Sequence, residues 1–373
     1  MGIGPGPGQF REPSGSATDE SGNAHSSASL SVMKILFLGG TQFVGRHLAT
    51  MARAAGHELT LFHRGNTNPD LFPEIEHVLG DRTTDLDRLG GRHWDRVIDL
   101  CGYLPRIVSM SAEALRLNAD HYTFISSISV YRDLDQSLEP LDEMCPVIEL
   151  PDPSVETITG DTYGGLKALC ETAARQGFDH TRVLIVRPGL IVGPWDHTDR
   201  FTYWCMRGAD GGRMAVPGSP NRHFPVIDVR DIAPWILAMV DRAGSGVVNL
   251  GGPSQDGGRG NEHGPPPTFE AMLAAIREAT GAPTDPIWIP VPQMARLGIN
   301  GDEFPLWNQV GDGSEAGFDI DSDRAFGTGL TLRPLVDTVR DTLDWRRADL
   351  AGQPLKAGPS REREQEILAA LAR

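Results

Sequence analysis

The chain has 373 residues, 39% hydrophobic and 23% charged, the balance of a soluble globular protein with room for one large or two ordinary domains. Its net charge of −16 argues against a nucleic-acid partner, whose phosphates need a basic face. No apolar run approaches the roughly 18 residues of a membrane span. The N-terminus lacks a secretion signal's basic start and apolar core. The four cysteines, without CxxC spacing, read as reduced thiols, so a cytoplasmic location is expected.

Residues 1–31 are rich in Gly, Ser and Pro and bury too little apolar surface to offset chain entropy; a disordered extension is expected. VMKILFLGG (32–40) is a short apolar run ending in glycines, the pattern of a buried parallel strand. Residues 46–56 follow helical spacing to a capping Gly56. Strands are predicted at 58–65, 96–102, 121–131 and 182–193, with helices at 105–117 and 163–176. This alternation specifies an α/β fold, a doubly wound parallel sheet of Rossmann type. Beyond about residue 190, proline, tryptophan and irregular segments increase. A short strand and capped helix are predicted at 224–242, a strand at 247–252, a mobile loop at 254–267 and helices at 268–280, 333–345 and 361–373. The expected organisation is a dinucleotide-binding domain at 33–190, to which 224–252 returns. A smaller C-terminal substrate lobe follows at 191–223 and 253–350, then a tail helix at 351–373.

The first strand runs into Gly39-Gly40-Thr41-Gln42-Phe43-Val44-Gly45. Between a strand and a helix, such glycines permit a tight bend and let a pyrophosphate approach backbone N–H groups. Gly39 and Gly45 fit the first and third positions of GxxGxxG; Gln42 holds the middle one. The end of the second strand selects the dinucleotide. A carboxylate there would hold the ribose 2′-OH of NAD, but the stretch is Phe62-His63-Arg64-Gly65. Arg64 suits a 2′-phosphate, so NADP(H) is favoured over NAD(H). Asp81, after a predicted third strand, is placed to accept from the adenine amine.

Tyr163 and Lys167 are four apart on a predicted helix and so share a face. A nearby ammonium would stabilise phenolate and lower the tyrosine pKa, and would also hold the nicotinamide ribose. The chain has three lysines against 31 arginines, so a lysine here is a choice of a compact cation. Ser126-Ser127-Ile128-Ser129 ends a central strand, the edge where open α/β sheets bind ligands. Ser127 is the candidate for orienting a substrate oxygen, because Ser126 alternates to the opposite face.

These residues resemble the extended short-chain dehydrogenase/reductase superfamily, in its NAD-dependent epimerase/dehydratase group and GGTxFVG subgroup. The marks are GGTQFVG (39–45), GDR (80–82), SSISVY (126–131), YGGLK (163–167), RPGLIVGP (187–194) and VIDVRDIA (226–233). The resemblance covers roughly residues 33–345. It implies Tyr163 as general acid/base, Lys167 as its partner and Ser127 as the polarising hydroxyl. It also implies a nicotinamide wall at Arg187-Pro188-Gly189 and Cys101-Gly102, where Cys101-Gly102-Tyr103 replaces a common Asn-Ala-Gly type segment. Ile128-Ser129 replaces the Asp-Glu pair typical of 4,6-dehydratases. A homodimer through the Tyr163 helix is the implied assembly.

The expected activity is hydride transfer at a carbinol or keto carbon of a small sugar-like or nucleotide-linked molecule, such as a nucleotide sugar. Tyr103, Trp195, Arg200 and Arg222 are the candidates for substrate contact, with Arg207 and Arg213 as further anion binders and Tyr203 and Trp204 as stacking surfaces. The alternative is a non-catalytic NADP-sensing or RNA-associated protein, since GGTxFVG relatives include chloroplast stem-loop RNA-binding proteins. Asp196, His197 and Asp199 lack the helical HxxxH-type spacing of a metal site, and no metal is expected.

Overall fold

The computed structural model describes residues 32–134, 137, 139–223, 225–254, 264–299, 303–307 and 319–372. The expectation of disorder at 1–31 lies outside these residues, as does the 255–263 part of the mobile loop expected at 254–267.

In chain order the elements are β1 (Lys34–Leu38), α1 (Phe43–Ala54), β2 (Glu58–His63), β3 (Glu76–Leu79), β4 (Trp94–Asp99), α2 (Pro105–Leu115), β5 (Ala119–Ile125), α3 (Gly160–Gly177), β6 (Val183–Pro188) and β7 (Leu190–Val192). They continue with α4 (Arg200–Ala209), β8 (Gly212–Pro217), β9 (Val226–Asp228), α5 (Val229–Asp241), β10 (Gly246–Leu250), α6 (Phe269–Thr280), β11 (Thr284–Ile289), α7 (Val291–Arg296), α8 (Asp323–Gly327), α9 (Leu335–Asp349) and α10 (Arg361–Leu371).

Seven strands form one parallel sheet in the order β10-β6-β5-β4-β1-β2-β3. β1 shows why both faces are covered. Ile35 and Phe37 join the core shared with Leu48 and Ala49 of α1 and Ile236 of α5, whereas Leu36 and Leu38 join Val108 of α2 and Cys170 of α3. Alternate side chains of a fully buried strand face opposite layers. The register pairs Leu38 with Phe62 and with Asp99. The chain therefore leaves β1, β2 and β4 at one level, and the next residues of each meet at the carboxyl edge.

Several predicted strands end early, two of them with a change of path. The segment expected at 121–131 stops at Ile125 and becomes one 3₁₀ turn over Ile128–Val130, capped by the Ser127 side chain. The segment expected at 182–193 breaks at Gly189. A Cβ there would lie 2.6 Å from the Pro225 carbonyl, and Leu190 leaves the large sheet to pair β7 with β9. β10 adds to the sheet beside β6.

The C-terminal part has its own core around Trp204, which packs edge-on to Phe269 and stacks with Phe304. β8 and β11 form a separate parallel pair there. Burial of such aromatic and aliphatic side chains stabilises by roughly 1.5–3 kcal/mol each. Among the described residues, no helix is long and apolar enough to cross a membrane.

Candidate active site

A cleft of about 1030 Å³ runs along the carboxyl edge of the sheet and gathers the two halves of the predicted site. At one end lies the glycine turn. Gly39 and Gly40 have φ of 96° and 108°, where any other residue is strained. A Cβ on Gly45 would stand 2.6 Å from Gly40 Cα, so α1 packs against the turn only because Gly45 has none. α1 opens at Gln42 with no side-chain cap and no acidic residue in its first turn. Its N-terminal N–H groups are thus suited to an anion, and this arrangement fits a dinucleotide pyrophosphate. Gly39, Thr41, Gln42, Phe43, Val44 and Gly45 all line the cleft.

The strand after this turn supplies the neighbouring wall. Arg64 and Asp81 both line the cleft. Asp81 Oδ1 accepts from the Thr83 backbone and hydroxyl at 2.8 and 2.6 Å, which hold its carboxyl below the usual range. The sequence reading missed the loop that completes this end. Thr41 Oγ1 donates to the Thr67 carbonyl at 2.8 Å, and Asn68 Nδ2 donates to the Thr41 carbonyl at 2.8 Å. These bonds tie the 64–68 loop to the glycine turn and bring Asn66 and Thr67 to the cleft. The polar Asn66-Thr67-Asn68 run after Gly65 was the available signal.

Arg82 was also missed. It forms a two-bond pair with Asp99, at 2.9 and 2.7 Å, and donates to Ser111. Tyr122 also donates to Asp99, at 2.6 Å. Burial alone would raise the Asp99 carboxyl, but Arg82 and these hydrogen bonds hold it below its ordinary value. Cys101 sits above this pair and lines the cleft; its thiol is pushed up by burial.

At the other end of the cleft are Ser127, Tyr163 and Lys167. α3 carries the last two, and its start is fixed by a capping box between Thr159 and Thr162. Gly164 lets α3 approach the 3₁₀ turn, because a Cβ there would lie 2.0 Å from the Ser129 carbonyl. The Tyr163 phenol lies beside Ser127, whose hydroxyl donates to Ser129 Oγ at 3.0 Å. Ser127 also accepts from the Ser129 backbone at 3.1 Å, so it caps the turn as well as facing the tyrosine.

Lys167 is only 3% exposed. Its Nζ donates to the Ile125 and Gly102 carbonyls at 2.7 and 2.9 Å and lies 4.4 Å from the Phe124 ring centre. Burial pushes its pKa down to about 8. The expected lowering of the tyrosine pKa by this lysine is not what the structure has. Burial raises the Tyr163 phenol above its ordinary value, and the opposing influences are the nearby Ser127 hydroxyl and the Arg200 guanidinium. The physical reason is that burial of the phenol outweighs these influences.

Other predicted residues fall on both sides of the cleft boundary. Pro188, Tyr103 and Arg200 line it. Gly102 contributes its carbonyl to Lys167, and a Cβ on it would strike Phe124 at 2.4 Å. Arg187 turns inward: it pairs with Glu171 at 2.8 and 2.7 Å and donates to the Tyr131 hydroxyl at 3.0 Å. Glu171 also accepts from Ser126 at 2.7 Å. Trp195 does not line the cleft. Arg46 lies 4.2 Å over its ring, and its indole donates to Asp349. Arg222 is buried over the rings of Phe269 and Trp307. Arg207 is consumed by a buried ion pair with Glu364. Tyr203 and Trp204 are core residues, and Arg213 is exposed on β8, outside the cleft lining.

The seven-stranded order and the cleft at its carboxyl edge form a Rossmann-type α/β fold, which the chain shares with solved structures of epimerases. No family model matches the chain. In sequence it is 26% identical over 269 residues to the chloroplast stem-loop binding protein of 41 kDa b of Arabidopsis thaliana, a match covering 67% of this chain and 64% of that protein. It is 23% identical over 296 residues to the epimerase family protein SDR39U1 of Bos taurus, covering 73% and 87%. In structure it is similar to the Bordetella bronchiseptica enzyme WbmH, solved with NAD+, at a TM-score of 0.63 and 15% identity over 86% of this chain and all of that one. It is also similar to the UDP-glucose 4-epimerase of Thermotoga maritima, solved with UDP-glucose, at 0.61 and 16% over 85% of this chain and all of that one.

Proposed function

We propose that this protein is a nicotinamide-dinucleotide-dependent oxidoreductase or epimerase that acts at a carbinol or keto carbon of a small molecule, with Tyr163 as general acid/base. The observation that carries this reading is that Ser127, Tyr163 and Lys167 line the same cleft as an uncapped glycine turn. The turn over Gly39–Gly45 would hold the pyrophosphate, Asp81 the adenine and Lys167 the nicotinamide ribose, with Pro188 beside the ring. Arg64, with no carboxylate at the end of β2, supports NADP(H) over NAD(H). When bound, the dinucleotide supplies the hydride donor and acceptor.

The chain's own residues do the rest. Ser127 orients the substrate oxygen. Tyr163 exchanges its phenolic proton with that oxygen, a role for which a protonated resting phenol is suited. Lys167, fixed by two carbonyls, keeps α3 against the ends of β4 and β5 and presents its ammonium below pH 8.

The second reading, a non-catalytic binding protein on the same fold, is favoured by the name of the Arabidopsis relative. Tyr163→Phe separates the two. Deuterium transfer from labelled reduced dinucleotide to a panel of carbonyl compounds and nucleotide sugars is expected in the native protein. It is expected to vanish in Tyr163→Phe, with dinucleotide binding retained. Transfer that survives the substitution contradicts the acid/base role.

A further inference from the structure

Around Tyr163 the cleft has two unlike walls. One is apolar: Tyr103, 47% exposed, and Ile158, 49% exposed, stand at the cleft with Leu134, Leu104 and Ile107. Large hydrophobic side chains left open beside a reacting centre are suited to an apolar ligand. The other wall carries Arg200, at the start of α4. Its Nε donates to Thr198 Oγ1 at 3.2 Å, and Thr198 Oγ1 in turn donates to Asp196 Oδ1 at 2.7 Å. Among the described residues this is the guanidinium's only hydrogen bond.

Among the described residues, Arg200 is the only Lys or Arg of the C-terminal part that lines the cleft, and several others are committed elsewhere. Arg207 pairs with Glu364, and Arg230 and Arg333 pair with Asp228 and Asp231. Arg222 lies over Phe269 and Trp307 and donates to the Leu306 carbonyl. Outside the described residues, 300–302 and 308–318 contain no Lys or Arg, and 255–263 contains Arg259. A diphosphate is ordinarily gripped by several cations or a run of N–H donors. Among the described residues one guanidinium faces the substrate end, and its Thr198 partner is tied to Asp196. A lone guanidinium matches a single negative charge of planar shape, a carboxylate, better than a phosphate dianion.

We infer that the substrate is a hydroxy or keto carboxylate with an apolar body, its carboxylate on Arg200 and its body against Tyr103, Leu134 and Ile158, and that the site does not take a nucleoside diphosphate sugar. This rests on the acid/base reading of Tyr163, which fixes where the reacting oxygen lies.

The test is calorimetric titration of the full chain, saturated with whichever nicotinamide dinucleotide binds it. The probes are 3-hydroxyoctanoate, its methyl ester and UDP-glucose. The acid is expected to bind about tenfold more tightly than the ester, the usual scale for one charge-assisted pair. UDP-glucose is expected to bind more weakly than the acid. Arg200→Gln should remove the difference between acid and ester, and Ile158→Glu should weaken the acid. The acid–ester comparison on native protein needs no variant to fold. Equal binding of acid and ester overturns the inference, as do tighter binding of UDP-glucose and failure of the acid to bind the loaded protein. Failure of the dinucleotide itself to bind is read separately, in the loading step, and counts against the functional proposal.

Discussion

Two buried arginine–glutamate pairs show how differently the two regions use the same chemistry. Arg187–Glu171 lies under the Ser127–Tyr163 end of the cleft, and Arg207–Glu364 lies in the C-terminal core. Both are nearly inaccessible to water. In the first, Glu171 also takes the Ser126 hydroxyl, and Arg187 donates to Tyr131, whose own hydroxyl donates to Asn249 at 2.7 Å. The pair therefore joins β5, α3, β6 and β10 behind Ser127, Tyr163 and Pro188. In the second, Arg207 serves the carbonyls of Gly211 and Arg213, and Glu364 accepts from the Ala215 backbone, tying α10 to β8. An arginine near a site in sequence is not thereby a ligand group; its acid partner decides.

The largest expected effect tests the site itself. Tyr163→Phe should lower turnover by about 10²–10⁴, the range for a general acid/base, with little change in melting temperature. Next come the two ion pairs. Arg187→Ala and Arg207→Ala should each cost about 3–5 kcal/mol in urea unfolding, because each strands a buried carboxylate. Only Arg187→Ala should also reduce turnover per folded molecule; an equal loss in both would erase the distinction between the regions. Gly45→Ala forces a methyl onto Gly40 and should cost about 1–3 kcal/mol. It should also abolish dinucleotide binding, which equilibrium dialysis would read. Arg64→Ala should weaken NADP(H) by about tenfold and leave NAD(H) unchanged; a parallel loss of both would remove Arg64 as the selector.

The smallest effect is on pH. Lys167 is an ammonium below its pKa of about 8 and an amine above it. Steps that need the ammonium should weaken as pH rises through 8, giving turnover a falling limb there. The stability effect has the opposite sign. Between about pH 8 and the ordinary lysine range the unfolded chain binds a proton that the native state has lost, so the Lys167 contribution to stability rises with pH. A flat turnover profile from pH 7 to 9 would contradict the ammonium's role.

The sheet edge was legible because its chemistry is written in contiguous motifs at strand ends. GGTQFVG and YGGLK each sit where one turn or one helix face places the whole motif. The C-terminal part was not legible in this way. Arg207, Arg222 and Trp195 were expected at the substrate, yet their partners, such as Glu364, Trp307 and Asp349, are distant in sequence. The same non-local pairing hid Arg82, whose role depends on Asp99 and Tyr122 on neighbouring strands. The break at Gly189 was missed because an apolar run looks alike on either side of a change of sheet. Lys167 was placed correctly on the shared face, but its commitment to the Gly102 and Ile125 carbonyls depends on tertiary approach.

The central claim is that the carboxyl edge of this sheet is a working dinucleotide site. Its most direct test is fluorescence titration of the purified chain with NADPH and NADH. Saturable binding, tighter for NADPH and lost in Gly45→Ala, is the predicted result. No saturable binding of either dinucleotide would contradict it.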